Sequence, residues 1–97
     1  MIRHIVFFSA KDPADLPRIK AGLQTLGAIQ HHDRFEVVEN GRVDPMGNAV
    51  DLVVYAEFRD WEALARYKSD PIYERSTQTV RPLREIRYSA DYEVPNG

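Results

Sequence analysis

The chain has 97 residues, 43% of them hydrophobic and 29% charged, with a net charge of −2. That length fits one domain rather than two, with a modest core, because a chain this short buries only about two-thirds of the surface it exposes when unfolded. The lack of cysteine rules out disulfides, Cys-ligated zinc, iron–sulfur clusters and thiol chemistry, and the scattered basic residues make no nucleic-acid footprint.

Ile2 to Ser9 is rich in β-formers and apolar on both parities, the pattern of a central strand covered on both faces. Asp12 and Pro13 suit the N-cap and first position of a helix, in which Leu16, Ile19, Leu23 and Leu26 form one apolar stripe and Gly27 is the expected C-cap. His31 to Val43 reads as a second, more polar strand, with Phe35 and Val37 alternating around Glu36. Asp44 to Asn48 is a loop marked by Pro, Gly and Asn. Val50 to Phe58 is the third strand, alternating Leu52, Val54, Ala56 and Phe58 with Asp51, Val53, Tyr55 and Glu57. Asp60 caps the next helix, whose inner face is expected to hold Trp61, Leu64, Ala65 and Lys68 with Tyr67 beside it. That helix must stop before Pro71. Ile72 to Leu83 forms another helical piece. Ile86 to Val94 is the last strand, and Pro95-Asn96-Gly97 is a tail.

This order, β-α-β-β-α-β, is the ferredoxin-like arrangement, an α+β domain covering residues 1–97. Two helices cover one face of a four-stranded antiparallel sheet. The other face has no cover within the chain, yet the first and third strands are apolar on both parities. A homodimer packed sheet to sheet is therefore expected, since a two-fold pair is the commonest closed assembly.

The opening RHIVFF, the strand DLVVYAEF, the helix ending in Tyr67, the DPIY segment and the terminal SADYEV together resemble the stress-responsive A/B barrel, or Dabb, family. The resemblance spans essentially the whole chain. It implies a dimeric α+β barrel built from ferredoxin-like protomers. One branch, similar to the plant olivetolic acid cyclase, closes polyketide chains by aldol chemistry using a His and Tyr pair in a cavity. His4 matches the strand His of that branch, and Tyr67 matches the helix Tyr. The branch carries its active His in a His-Pro-x-His segment. Here that segment is Asp70-Pro71-Ile72-Tyr73, so Tyr73 stands in the place of the active His. An unperturbed phenol is a poor general base at neutral pH.

The candidate catalytic residues are thus His4 and Tyr73. His4 is read either as a pocket acid–base group or as a buried histidine satisfied by a neighbouring polar group. Tyr67, Trp61 and Val54 are the candidate substrate-binding residues, with Tyr55 and Tyr88 as further aromatics. Tyrosines pair an apolar body with a polar handle, which suits phenolic or keto ligands and packing alike. His31-His32-Asp33 does not converge on a metal, because neighbours on a strand point to opposite faces. Asp91 and Glu93 share a strand face and are read as solvated or salt-bridged carboxylates, paired with Arg84 or Arg87.

No Gly-rich phosphate loop or nucleophile elbow is present, and no cofactor or metal is expected. MIRHIVFF is too short for a signal peptide, and no run approaches the about 20 apolar residues of a membrane span, so a cytoplasmic location is expected. Two function classes stay open. One is a small stress-associated Dabb protein that binds a small apolar or phenolic molecule without catalysis. The other is a cofactor-free lyase, cyclase or isomerase acting on a keto or phenolic, polyketide-like substrate. The wider superfamily adds cofactor-free monooxygenases and haem-degrading enzymes.

Overall fold

Strand β1 (Ile2–Ala10) lies inside a four-stranded sheet, flanked by β3 (Leu52–Phe58) and β4 (Arg84–Glu93), with β2 (Arg34–Glu39) outside β3. All three pairings are antiparallel. Helices α1 (Leu16–Gln24), α2 (Trp61–Ser69) and α3 (Pro71–Val80) cover one face. The fold is α+β and ferredoxin-like, with its second helical segment split in two. The computed structural model describes residues 1–95; Asn96 and Gly97 of the expected tail lie outside the described residues.

The even residues of β1 and β3 face the helices. Ile2, Val6, Phe8, Leu52, Val54, Ala56 and Phe58 are all buried against Ile19, Leu23, Leu64, Tyr67 and Val80. The odd residues form the open face, where Phe7 and Tyr92 are partly exposed and Tyr88 is 65% exposed. Ile86, Tyr88, Ala90 and Tyr92 of β4 belong to this open side, because Tyr92 pairs with Arg3 and Tyr88 with Phe7.

Several boundaries differ from the sequence expectation, each for a local reason. Asp12 does accept a hydrogen bond from the Ala14 N–H at 3.0 Å, but the turn it caps, Pro13–Asp15, is 3-10, and the α-helix begins only at Leu16. Gly27 is not a left-handed cap: no glycine has positive φ among the described residues. A side chain there would meet the Phe35 ring at 3.3 Å, so its role is close approach. Strand β2 ends at Glu39, where Asn40 turns back to bond Val50 O at 2.8 Å and Arg42 takes a left-handed φ of 55°. The buried stripe of α2 is Ala63, Leu64 and Tyr67, leaving Trp61, Ala65 and Lys68 exposed. Both stripes satisfy helical periodicity, and only packing chooses between them.

Asp60 accepts from Ala63 N at 2.8 Å to start α2, and Asp70 accepts from Ile72 N at 2.8 Å to start α3 at Pro71. Two caps ten residues apart, the second followed at once by Pro71, fix the break between α2 and α3. The α3 helix is tied to α1 by Ser76 Oγ, which donates to Gly22 O at 2.9 Å. The approach is close enough that a methyl group at Gly22 would come within 3.1 Å of Val80. No helix among the described residues is long and apolar enough to cross a membrane.

Candidate functional site

The register of the central strands places His4 between Ala56 of β3 and Asp91 of β4. Ala56 has a side chain too small to fill its share of the layer. The space is taken by Tyr67, reaching down from α2 to meet the His4 ring edge to face, with centroids 6.0 Å apart. Phe58 closes the far side at 4.9 Å from the Tyr67 ring and 6.1 Å from His4. Two aromatic rings, Tyr67 and Phe58, thus hold a histidine that is only 1% exposed.

A buried imidazole needs a partner for its N–H. His4 Nδ1 is in direct hydrogen-bond contact with an Asp91 carboxylate oxygen. With Nδ1–H donating to Asp91, Nε2 is left as the lone-pair nitrogen, the arrangement a general base requires. Lys68 Nζ lies 3.7 Å from the other Asp91 oxygen and secures the carboxylate. Asp91 is therefore not a solvated surface carboxylate paired with Arg84 or Arg87, as the sequence suggested; pairing β4 with β1 carries it onto the helix face beside His4.

The same histidine lines a narrow cavity beneath α1 and α3. Tyr67, Tyr73, Val54, Arg84 and Arg87 share its wall, with leucines and Val80 closing the rest. Its core is about 30 Å³ for water-sized occupants, and the empty space reaches about 360 Å³ when the open mouth is included. Among the described residues Tyr67 Oη has no hydrogen-bond partner, although its residue is 0% exposed. A buried hydroxyl without a partner costs on the order of 1–3 kcal/mol, and cavities that present one are suited to an occupant that accepts. Tyr73 packs edge-on against Tyr67 at 5.4 Å, and its own hydroxyl accepts from Arg87 at 3.4 Å.

Of the residues singled out from sequence, the structure brings His4, Tyr67, Tyr73 and Val54 around this cavity. Trp61 stands apart, 50% exposed at the first position of α2. Tyr55 and Tyr88 lie on the open sheet face, where the Tyr55 hydroxyl donates to Glu57 at 2.6 Å. His31 is exposed, while His32 stacks on Phe35 at 5.2 Å with its Nε2 3.3 Å from Gly27 O. Among the described residues no three His, Asp or Glu side chains converge as a metal site. Sequence reasoning missed Asp91 as the histidine's partner, and it missed Arg84 and Arg87 as cavity residues.

Electrostatics set the resting state of the pair. Burial lowers the His4 pKa below the ordinary histidine value, against the Asp91 hydrogen bond, and the positive charges of Lys68 and Arg87 push the same way as burial. The imidazole is therefore neutral at neutral pH. Burial drives the Tyr67 phenol well above its ordinary range, so it stays a proton donor. A folded pKa below the unfolded one means that the unfolded chain binds the proton first as pH falls. The His4 contribution to stability is thus full above the unfolded value of about 6.5 and is lost as pH falls from there through the folded pKa. Urea melts across that range should show stability falling with acid, and His4→Gln should flatten the slope. A wild-type slope unchanged in the variant would show that another group titrates.

A family model described as Stress responsive A/B Barrel Domain, Dabb, matches residues 2–94. No curated protein sequence matches the chain. Among solved structures, a Dabb family protein with a ferredoxin-like fold from Mesorhizobium loti is 28% identical with a TM-score of 0.80, covering 99% of this chain and 97% of its own. A dimeric ferredoxin-like protein of unknown function from Jannaschia sp. is 17% identical with a TM-score of 0.85, covering 96% and 98%. Another so described, from Thermobifida fusca, is 18% identical with a TM-score of 0.80, covering 96% and 90%.

Proposed function

This chain belongs to the stress-responsive A/B barrel (Dabb) family, and from that premise we propose that it is a cofactor-free acid–base catalyst for a small carbonyl compound held in the His4 cavity. The observation that carries the reading is the His4–Asp91 pair, set in one cavity with an unpartnered, buried Tyr67 hydroxyl. The carbonyl oxygen of the substrate accepts from Tyr67 Oη. The bond between the neighbouring carbon and its hydrogen breaks, and the proton passes to His4 Nε2. The electron pair moves onto the carbonyl oxygen as an enolate, which the Tyr67 hydrogen bond stabilises. Asp91 holds the imidazole in the reactive tautomer and balances the charge of the imidazolium. Return of the proton to another carbon isomerises the substrate; attack of the enolate carbon on a second carbonyl closes a ring.

A second reading, binding without turnover, is favoured by two features. The cavity core is small, and Tyr73 occupies the place that the cyclase-like branch gives to its active histidine. Both readings share the ligand site. They also share a homodimer through the open face, supported by the apolar Phe7, Tyr88 and Tyr92 there and by relatives described as dimeric.

The shared site is tested by thermal shift against small ketones and phenols. A ligand of the folded state at one hundred times its dissociation constant adds about 2.7 kcal/mol, or roughly 10–20 °C in a domain of this size. We expect a saturable rise that shrinks in Tyr67→Phe, which removes only the hydroxyl. A flat response across the panel would discard the cavity as a ligand site.

A further inference from the structure

Arginine crowds the mouth of the cavity. Arg84 and Arg87 lie on the same face of β4 as Asp91 and line the cavity with His4 and Tyr67, and both are partly buried. Neither has a carboxylate within ion-pair distance among the described residues. Asp91, on the same strand, is already engaged by His4 and Lys68. Arg87 spends one weak hydrogen bond on Tyr73, at 3.4 Å. Two partly desolvated guanidinium groups side by side, with no counter-ion, repel each other at a cost that an anion would remove. Burial depresses the Arg84 pKa, and the charges of Arg87 and Arg81 depress it further.

The second observation lies deeper in the same cavity: the Tyr67 hydroxyl, fully buried and without a partner. A ligand that satisfies both features carries a negative, planar acceptor at one end and a neutral oxygen acceptor at the other. Guanidinium forks match carboxylates bidentately, and the narrow core favours a short molecule. We infer that the ligand is a small oxo-carboxylate, its carboxylate held by Arg84 and Arg87 and its carbonyl oxygen by Tyr67. This rests on the acid–base reading above, and it narrows that reading to anionic substrates. The carboxylate anchors the molecule at the mouth, so that the carbonyl and its acidic C–H are delivered to Tyr67 and His4 rather than left to diffuse.

The test compares 4-oxopentanoate with its uncharged amide, 4-oxopentanamide, by amide chemical-shift titration of the purified protein. The acid should bind at least tenfold more tightly than the amide, with shifts at Tyr67, Thr77 and Arg87. Arg84→Gln and Arg87→Gln should each weaken the acid at least tenfold and the amide much less, closing the gap between the two ligands. Arg18→Gln, an exposed control on α1, should alter neither. Equal binding of acid and amide would overturn the anion inference while leaving the ligand site intact. Binding of neither at millimolar concentration would overturn both. Shifts confined to β4 and matched by acetate alone, with Tyr67 unmoved, would mark a surface contact and also overturn the inference.

Discussion

A His4→Gln variant is expected to lose roughly 10²- to 10⁴-fold in proton transfer, the usual contribution of a positioned general base. The assay needs no natural substrate. Deuterium uptake into the α-positions of a small oxo-acid such as 4-oxopentanoate, followed by proton NMR in heavy water, reads the proposed step directly. Glutamine keeps a hydrogen-bonding group near Asp91 and fills much of the imidazole's volume, so folding should survive. The loss then reports chemistry, since the amide has no basic nitrogen. The wild-type rate should hold through neutral pH and decline only in acid, because burial keeps His4 neutral at pH 7. An identical exchange rate in wild type and variant would remove His4 from the mechanism and leave the binding-only reading.

The second large effect is on stability. Phe58 is 0% exposed and forms the wall behind both His4 and Tyr67. Phe58→Ala should cost about 3–5 kcal/mol, from lost burial and the cavity left behind. A domain of this size has only about 5–15 kcal/mol in total, so the melting temperature should fall by roughly 12–40 °C. Phe58→Leu, which keeps most of the volume, should lose far less. Comparable melting of the alanine variant and the wild type would mean that the aromatic layer is not the structural floor of the site.

Much of the architecture was legible in the sequence because it is written locally. Alternation in Leu52–Phe58, the Asp60 cap, and the stop at Asp70-Pro71 each depend on a few neighbouring residues, and all three recur in the structure. Which parity faces the helices was not legible: β1 is apolar on both sides, and only the packed helices choose the even residues. The same holds for Trp61. Its size and spacing fit an inner stripe, but Tyr67 and Leu64 take the core and turn it outward. The most consequential gap was Asp91. Its pairing with His4 spans 87 residues and depends on the register of β1 against β4; a shift of one residue would have turned it to the open face. Arg84 and Arg87 were visible as charges, but that they frame a cavity depends on α3 crossing above them.

The position of β4 has a consequence for how the protein loses function. It is an edge strand of the sheet, and edges fray at free energies below that of global unfolding. It carries Asp91, Arg84 and Arg87, whereas His4 and Val54 sit on the two interior strands and Tyr67 on a helix packed over them. Warming that peels β4 away therefore disarms the histidine while the hydrophobic layer still stands. On the acid–base reading proposed above, inactivation should precede melting, making this one strand a thermal fuse for the whole site.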